Sequence, residues 1–367
     1  MFNIFNIRRK SAARELARQL TVYDRRNQEY PGTPPGPLPY AVYDQMQRDS
    51  MVQTVMSVKK QGVLAARHAV LPASDSTAAR RNADFVEENF AHMDGSPATV
   101  LSQAMDAFAK GWSVQELVFD LRDGMLMLDA VRSKDPSRFG LELDEFGNVT
   151  GLKLESVLSD STPNAQRSTL GLPIAKFVLY ANRGGYARPK GRSDLDAAYP
   201  HWKAKTSLLD AWRLHLEKFA SPTVLGRYQR GLPAEETAGL LAALDGLAKR
   251  NAIVFPNEIE VGTLGGGRES NTNFMDAIEF HNREIARSVL GQTLTTDEGR
   301  RVGSLALGKV HLQVFLLQLQ ALRKELADVV MTEQVIRPLV ELNFGPGEVP
   351  RFEFEEVPLE AFSTGTI

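Results

Sequence analysis

Two pairs of closely spaced acids come nearest to catalytic spacing in this sequence: Asp194 with Asp196, and Asp144 with Glu145. Either pair could hold Mg²⁺, because a hard divalent cation takes carboxylate oxygens. Both pairs sit in turn-like sequence, where Asp and Glu are common for local hydrogen-bonding reasons. A turn is the ordinary reading, with a metal-dependent nucleic-acid-processing enzyme built on Asp194 and Asp196 as an alternative. His68, His92, His201, His215 and His311 are scattered, each most simply a surface or core-edge residue. Glu279 and His281 are two apart, which puts them on different faces of a helix. The sequence has no G-x-x-x-x-G-K-[ST], no His-Glu-x-x-His and no nucleophile elbow. The run Gly265-Gly266-Gly267 before Arg268 reads as a hinge rather than a phosphate loop. No cofactor and no metal are expected.

What remains is the stretch Gln292–Gly308, rich in Thr, Gly and Ser, with Arg300 and Arg301 beside Asp297 and Glu298. It is too polar to bury. It reads either as a plain surface connection or as a mobile element that touches a polyanion or a neighbouring subunit.

Composition narrows the classes further. Net charge is −2, so the chain is not a generic polycation for nucleic acid. Charge is unevenly spread: residues 1–30 are basic and residues 341–367 acidic. Cysteine is absent, which removes disulfides, thiolate metal sites and Cys nucleophiles. Arg8, Arg9 and Lys10 are not followed by a signal-peptide core, and no run approaches the roughly 20 apolar residues of a membrane span. A soluble protein in a reducing compartment, with no membrane partner, is the default expectation.

The elements that would position the polar stretch follow from periodicity and breakers. Residues 1–40 form a basic arm and a Pro-rich strap, YPGTPPGPLPY, which cannot be helix or central strand. Helices are expected over Tyr43–Ala69, Ala78–Ala91 and Pro97–Ala109. A β-rich block follows, with Trp112–Val131 a hairpin about Arg122-Asp123-Gly124 and Phe139–Leu154 a second one about Phe146-Gly147-Asn148. Ile174–Tyr180 is a further strand, and Asn182–Asp194 a Gly-rich basic loop. Tyr199–Phe219 reads as a helix. Thr223–Leu264 reads as a compact β-α-β-β unit whose helix, Pro233–Arg250, carries Glu235 and Glu236 in its first turn. A helix ending at Gly291 precedes the polar stretch, and a long one follows it. Some 33 residues of helix would span on the order of 50 Å. Arg351–Glu355 reads as a last strand.

Taken in order, GWSVQELVF, the Asp-Pro-x-x-Phe of Asp135–Phe139, LDAAYPHWKAK, LHLEKFASPTVLGRY, the helix with NAIVFP, IARSVLGQTLTT, GSLALGKVHLQV and IRPLVELNFG resemble the portal proteins of tailed bacteriophages, in the Mu-like branch. The likeness runs from about Gln45 to Phe354. It implies an α+β portal fold with an α/β wing (41–198), a stem of two helices (199–222 and 271–291), a small clip between them (223–270), a tunnel loop (292–308) and a long wing helix with its tail (309–367). Only a short tail follows Asn343, so a helical crown is expected to be reduced or absent. The resemblance implies a homo-oligomeric ring, typically of twelve subunits, at one capsid vertex, assembled in the host cytoplasm. Double-stranded DNA would pass through it without sequence recognition. The terminase large subunit, capsid proteins and head–tail connector proteins would be its partners. It also implies DNA-channel roles for Thr293, Thr295, Thr296, Arg300, Arg301 and Lys309, and motor-docking roles for Arg227, Arg230, Glu235 and Glu236. Catalysis is not implied. A non-ring phage scaffold or adaptor is the other alternative.

Overall fold

The computed structural model describes residues 37–144, 149–154, 170–185, 188–219, 223–227, 260–264, 269–292 and 305–355, with a few positions between 233 and 242. The chain divides into two compact units, one made of residues 1–200 and 285–367, the other of residues 201–284.

In the first unit, α1 (Tyr40–Met46) and α2 (Ser50–Leu64) replace the single helix expected from Tyr43 to Ala69. The break has a local cause. The Asp49 side chain accepts the Met51 and Val52 N–H groups and so starts a new helix. The five-residue step from Met46 to Met51 in the apolar pattern marks this break. Beyond α2 the chain turns extended as β1 (His68–Leu71), where helix was expected. Leu71 precedes Pro72, which disfavours the helical region for it.

Helices α3 (Thr77–His92), α4 (Pro97–Ala104) and α5 (Ala107–Lys110) follow. Ser76 and Ser96 cap α3 and α4, each hydroxyl accepting a backbone N–H from three residues on. The expected helix over Pro97–Ala109 is thus interrupted at Met105-Asp106.

Strands β2 (Trp112–Arg122) and β3 (Met125–Lys134) form the expected hairpin. Asp123 and Gly124 at its tip have φ of 53° and 79°, the two positive angles that a two-residue type I′ turn needs. Strand β4 (Phe139–Leu143) pairs with β5 (Val149–Leu154), which pairs with β6 (Leu170–Leu172). Residues 145–148, the expected turn, lie outside the described residues. Strand β7 (Phe177–Ala181) pairs antiparallel with β2, giving the order β3-β2-β7. Ile174–Lys176, read as strand, is a single 3₁₀ turn leading into β7. Trp112, Val114, Phe139, Leu152 and Phe177 form one buried apolar cluster. The Trp112 indole N–H donates to the Tyr40 hydroxyl at 2.7 Å, which ties α1 to this core.

Helix α6 (Leu195–Phe219) begins four residues before the expected start. The Ser193 hydroxyl accepts the Leu195 N–H at 3.0 Å, and Pro200 is carried one turn inside at the loss of one backbone bond. Strands β8 (Thr223–Arg227) and β9 (Glu260–Leu264) pair antiparallel in the second unit. Helix α7 (Glu269–Leu290) ends at Gly291 as read from sequence.

Helix α8 (Leu305–Glu325) passes directly into Leu326–Ile336, where hydrogen bonding widens from i→i+4 to the π form, and then into α9 (Arg337–Phe344). The sequence pattern showed one long helix and gave no sign of this widening. The widened segment packs on β7 and on β10 (Arg351–Phe354), and α9 packs on β3. Two amide side chains fix the crossing. Gln334 accepts the Leu179 N–H at 2.8 Å and donates to the Leu179 carbonyl at 2.9 Å. Asn343 makes the same two-way exchange with Leu126, at 2.8 Å in both directions. Since β7 and β3 are the two edges of their sheet, one helical run supplies hydrogen-bond partners to both. Strand β10 pairs antiparallel with β1, from His68↔Phe354 to Leu71↔Arg351, and the His68 ring stacks on the buried Phe352.

Candidate functional site

Helices α7 and α8 bracket the polar stretch, and both ends are anchored in the first unit. Ile285, Ala286, Val289, Leu290 and Gln292 are buried on one side; Phe315 and Leu319 are buried on the other. Thr293, Thr295, Thr296, Arg300 and Arg301 lie outside the described residues. Lys309 stands in the second turn of α8, so the helix begins inside the stretch assigned to the loop. Farther along, the Arg323 guanidinium donates to the Gly62 and Val63 carbonyls at 2.5 and 3.2 Å, satisfying the open end of α2. Burial lowers the Arg323 pKa somewhat, which still leaves it a cation among carbonyl acceptors.

In the second unit, Arg227 ends β8 opposite Glu260 on β9. Glu235 and Glu236 lie in helical backbone and are exposed. Arg230 and the expected strand Asn251–Pro256 lie outside the described residues.

The acid pair with catalytic spacing does not converge. Asp194 is fully buried and accepts from Lys59 at 2.6 Å, Asn182 at 3.1 Å and Arg183 at 3.3 Å. Asp196 instead accepts the Tyr43 hydroxyl at 2.6 Å. Burial, first, and the Asp196 carboxylate push the Tyr43 pKa up, so the phenol remains a donor across the ordinary pH range. Both acids are committed to joining α2 and α1 to the start of α6. A metal-binding role has no geometric support in either. Among the described residues, no group of three or more His, Asp or Glu could hold a metal ion.

The helices of the second unit are thinly packed. Among its described residues Lys205 alone is buried, while Leu209, Leu214, Leu216, Met275 and Phe280 are exposed. Ion pairs Arg213–Glu217 at 2.7 Å and Arg283–Glu279 at 3.8 Å follow one-turn spacing along their own helices. Such exposed pairs contribute only about 0.3–0.5 kcal/mol each. The fold also brings together His201, which the sequence had left among the scattered histidines, and His281, which it had weighed only against Glu279, with Nδ1 atoms 3.2 Å apart. Their separation of 80 residues hid the pairing from any local motif search. On α8, Val310, Val314 and Leu317 form a further exposed apolar row at helical spacing. No helix among the described residues is long and apolar enough to cross a membrane.

Known proteins of similar sequence point to one family, and solved structures share its fold class. The model of the family described as the portal protein of Mu bacteriophage matches residues 40–363. The chain is 26% identical over 333 residues to the Mu-like prophage FluMu protein gp29 of Haemophilus influenzae, covering 88% of this chain and 61% of that protein. It is 26% identical over 313 residues to the portal protein of Escherichia phage Mu, covering 82% and 56% respectively. The chain thus spans less than two thirds of the length of these relatives. Among solved structures, a chain from the neck of a native gene transfer agent particle, computed with C12 symmetry, superposes with a TM-score of 0.59 at 10% identity, covering 86% of this chain and 83% of that one. A chain from the virion of a native gene transfer agent particle gives a TM-score of 0.61 at 11% identity, covering 88% and 86%. At such identities the likeness is one of fold, a mixed α+β architecture shared along most of the chain. The match over nearly the whole sequence decides the family: the chain belongs to the portal proteins of Mu-type bacteriophages.

Proposed function

We propose that the chain assembles into a closed ring at one vertex of a phage capsid, typically of twelve copies, and that DNA enters and leaves the particle through it. The observation that carries the reading is the thin packing of the second unit. Helices that leave Leu209, Leu214, Leu216, Met275 and Phe280 exposed bury too little to stand alone. A ring of identical copies covers such residues at every interface, because a heterologous contact that closes by rotation leaves none unpaired. The gene transfer agent neck solved with C12 symmetry supports the same reading by analogy of fold.

In this proposal α6 beyond Tyr199 and α7 are the stem, residues 223–270 the clip, residues 292–308 the tunnel loop, and α8 through α9 the long wing helix. Thr293, Thr295, Thr296, Arg300, Arg301 and Lys309 face the DNA. Arg227, Arg230, Glu235 and Glu236 belong to the clip surface that docks the terminase large subunit and later the head–tail connector proteins. The near-neutral charge suits a conduit. A duplex that must slide cannot be held at many phosphates, since each such contact adds salt-dependent affinity. No catalytic step is assigned to the chain, and ATP hydrolysis is left to the terminase.

Two measurements test this. The mass of the purified protein is expected to be that of a ring; a monomer or dimer under every assembly condition, scaffold protein included, refutes it. Replacing Arg300 and Arg301 together by Ala is expected to leave the ring mass unchanged while DNA packaging or retention falls. Normal packaging in that variant removes the loop's role on DNA and leaves the ring reading standing.

A further inference from the structure

His201 on α6 and His281 on α7 are the only described pair of histidines whose ring nitrogens meet, at 3.2 Å between the two Nδ1 atoms. Their ring centroids are 5.5 Å apart and the planes are inclined by 46°. Phe280 packs edge-on against both rings, at 6.2 and 5.2 Å between centroids. Both imidazoles are half-buried. Nitrogens this close either share one proton or turn two lone pairs toward one ion. Two imidazole nitrogens on a tetrahedral ion, each at about 2.0–2.1 Å, lie about 3.3–3.4 Å apart. The observed gap is close to that spacing, so binding would need only a small adjustment of the two rings.

We propose that His201 and His281 form a two-imidazole site for a divalent transition ion of the Zn²⁺ class, which cross-links α6 to α7. Imidazole nitrogen suits zinc, copper and nickel, whereas calcium and magnesium take oxygen. Burial, and next the neighbouring His201, lower the pKa of His281, while Glu284 one turn away opposes them. An imidazole ligates in its neutral form. Lys205, buried one turn beyond His201, adds a positive charge to the neighbourhood. Two protein ligands with water in the other positions make a weaker site than a three- or four-ligand one. The cross-link matters because these helices bury so little else, and any ion that binds only the folded pair stabilises it by mass action.

The test uses the full-length protein, freed of metal by chelation and titrated with Zn²⁺ in a calorimeter. One Zn²⁺ per chain is expected at pH 7.5. Affinity should fall between pH 7.5 and pH 5.5, because protons compete with the ion for the imidazole nitrogens. Ca²⁺ should give no heat. The double variant His201→Gln/His281→Gln should lose the event with an unchanged circular dichroism spectrum. Zinc uptake of equal stoichiometry and affinity in that variant overturns the proposal. If the double variant does not fold, Co²⁺ added to the wild-type protein decides instead: ligand-field bands of imidazole-bound Co²⁺ that vanish at pH 5.5 support the site, and their absence at pH 7.5 overturns it.

Discussion

Asp194→Ala is expected to destabilise the first unit by about 3–5 kcal/mol, the range for removing one partner of a buried ion pair. The Asp194 side chain is 0% exposed and that of Lys59 13%. Removing the carboxylate leaves the largely buried Lys59 ammonium over the Phe108 ring, 4.3 Å from its centroid, with its anion gone. Asn182 Nδ2 loses one of its two acceptors and retains the Arg192 carbonyl at 2.8 Å. Arg183, well exposed, finds water instead, so its share of the loss is small. Lys59→Met should cost a comparable amount, because it leaves the buried carboxylate with only the exposed Arg183 as a cation. Combining Lys59→Met with Asp194→Leu should recover part of the loss, since neither charge is then stranded. Guanidinium unfolding of the four proteins measures this. A loss below about 1 kcal/mol in Asp194→Ala would mean that water reaches the site and that the pair is not a buried one.

Gly191→Ala should be nearly as damaging, for steric rather than electrostatic reasons. Gly191 has φ of +68°, and a Cβ there would overlap the carbonyl oxygens of both Asn182 and Gly111. Neither oxygen can move aside cheaply. The Gly111 carbonyl accepts the Asn182 N–H at 2.8 Å, and the Asn182 carbonyl accepts the Arg192 N–H at 2.8 Å. Left-handed backbone costs an alanine roughly 1–2 kcal/mol and overpacking typically adds about 1–3, so a loss of about 2–4 kcal/mol is expected in the same unfolding assay. Gly185→Ala is the control, because a Cβ at Gly185 meets nothing within 4 Å. Equal effects at the two positions would show that the crossing of these backbones is not what the glycine serves.

Both variants fall in a stretch that the sequence marked only as a Gly-rich basic loop, and the reason is general. The hairpin at Arg122-Asp123-Gly124 was legible because a two-residue turn carries its chemistry within itself. The end of α7 at Gly291, and strands β8 and β9, were legible on the same local grounds. Strand β1 was not: His68 and Ala69 follow an apolar helical pattern without a strong breaker, and what makes them a strand is a distant partner. The amide exchanges of Gln334 and Asn343 are equally hidden, since each looks like a polar residue on a helix until the sheet edges are placed. At the candidate site the anchors of the polar stretch were readable from helical periodicity. The pairing of His201 with His281 was not, and neither was the separate engagement of Asp194 and Asp196.

The pairing of β1 with β10 also sets an order of events during synthesis. Leu71 aligns with Arg351, 280 residues later in the chain. At about 5–20 residues per second, β1 leaves the ribosome on the order of 15–60 s before its partner has been made. Through that interval Val70 lacks the strand that pairs with it, and Phe352, which stacks on His68, does not yet exist. The first unit can therefore close only once residues 351–354 have been made, after the residues of the second unit have already emerged.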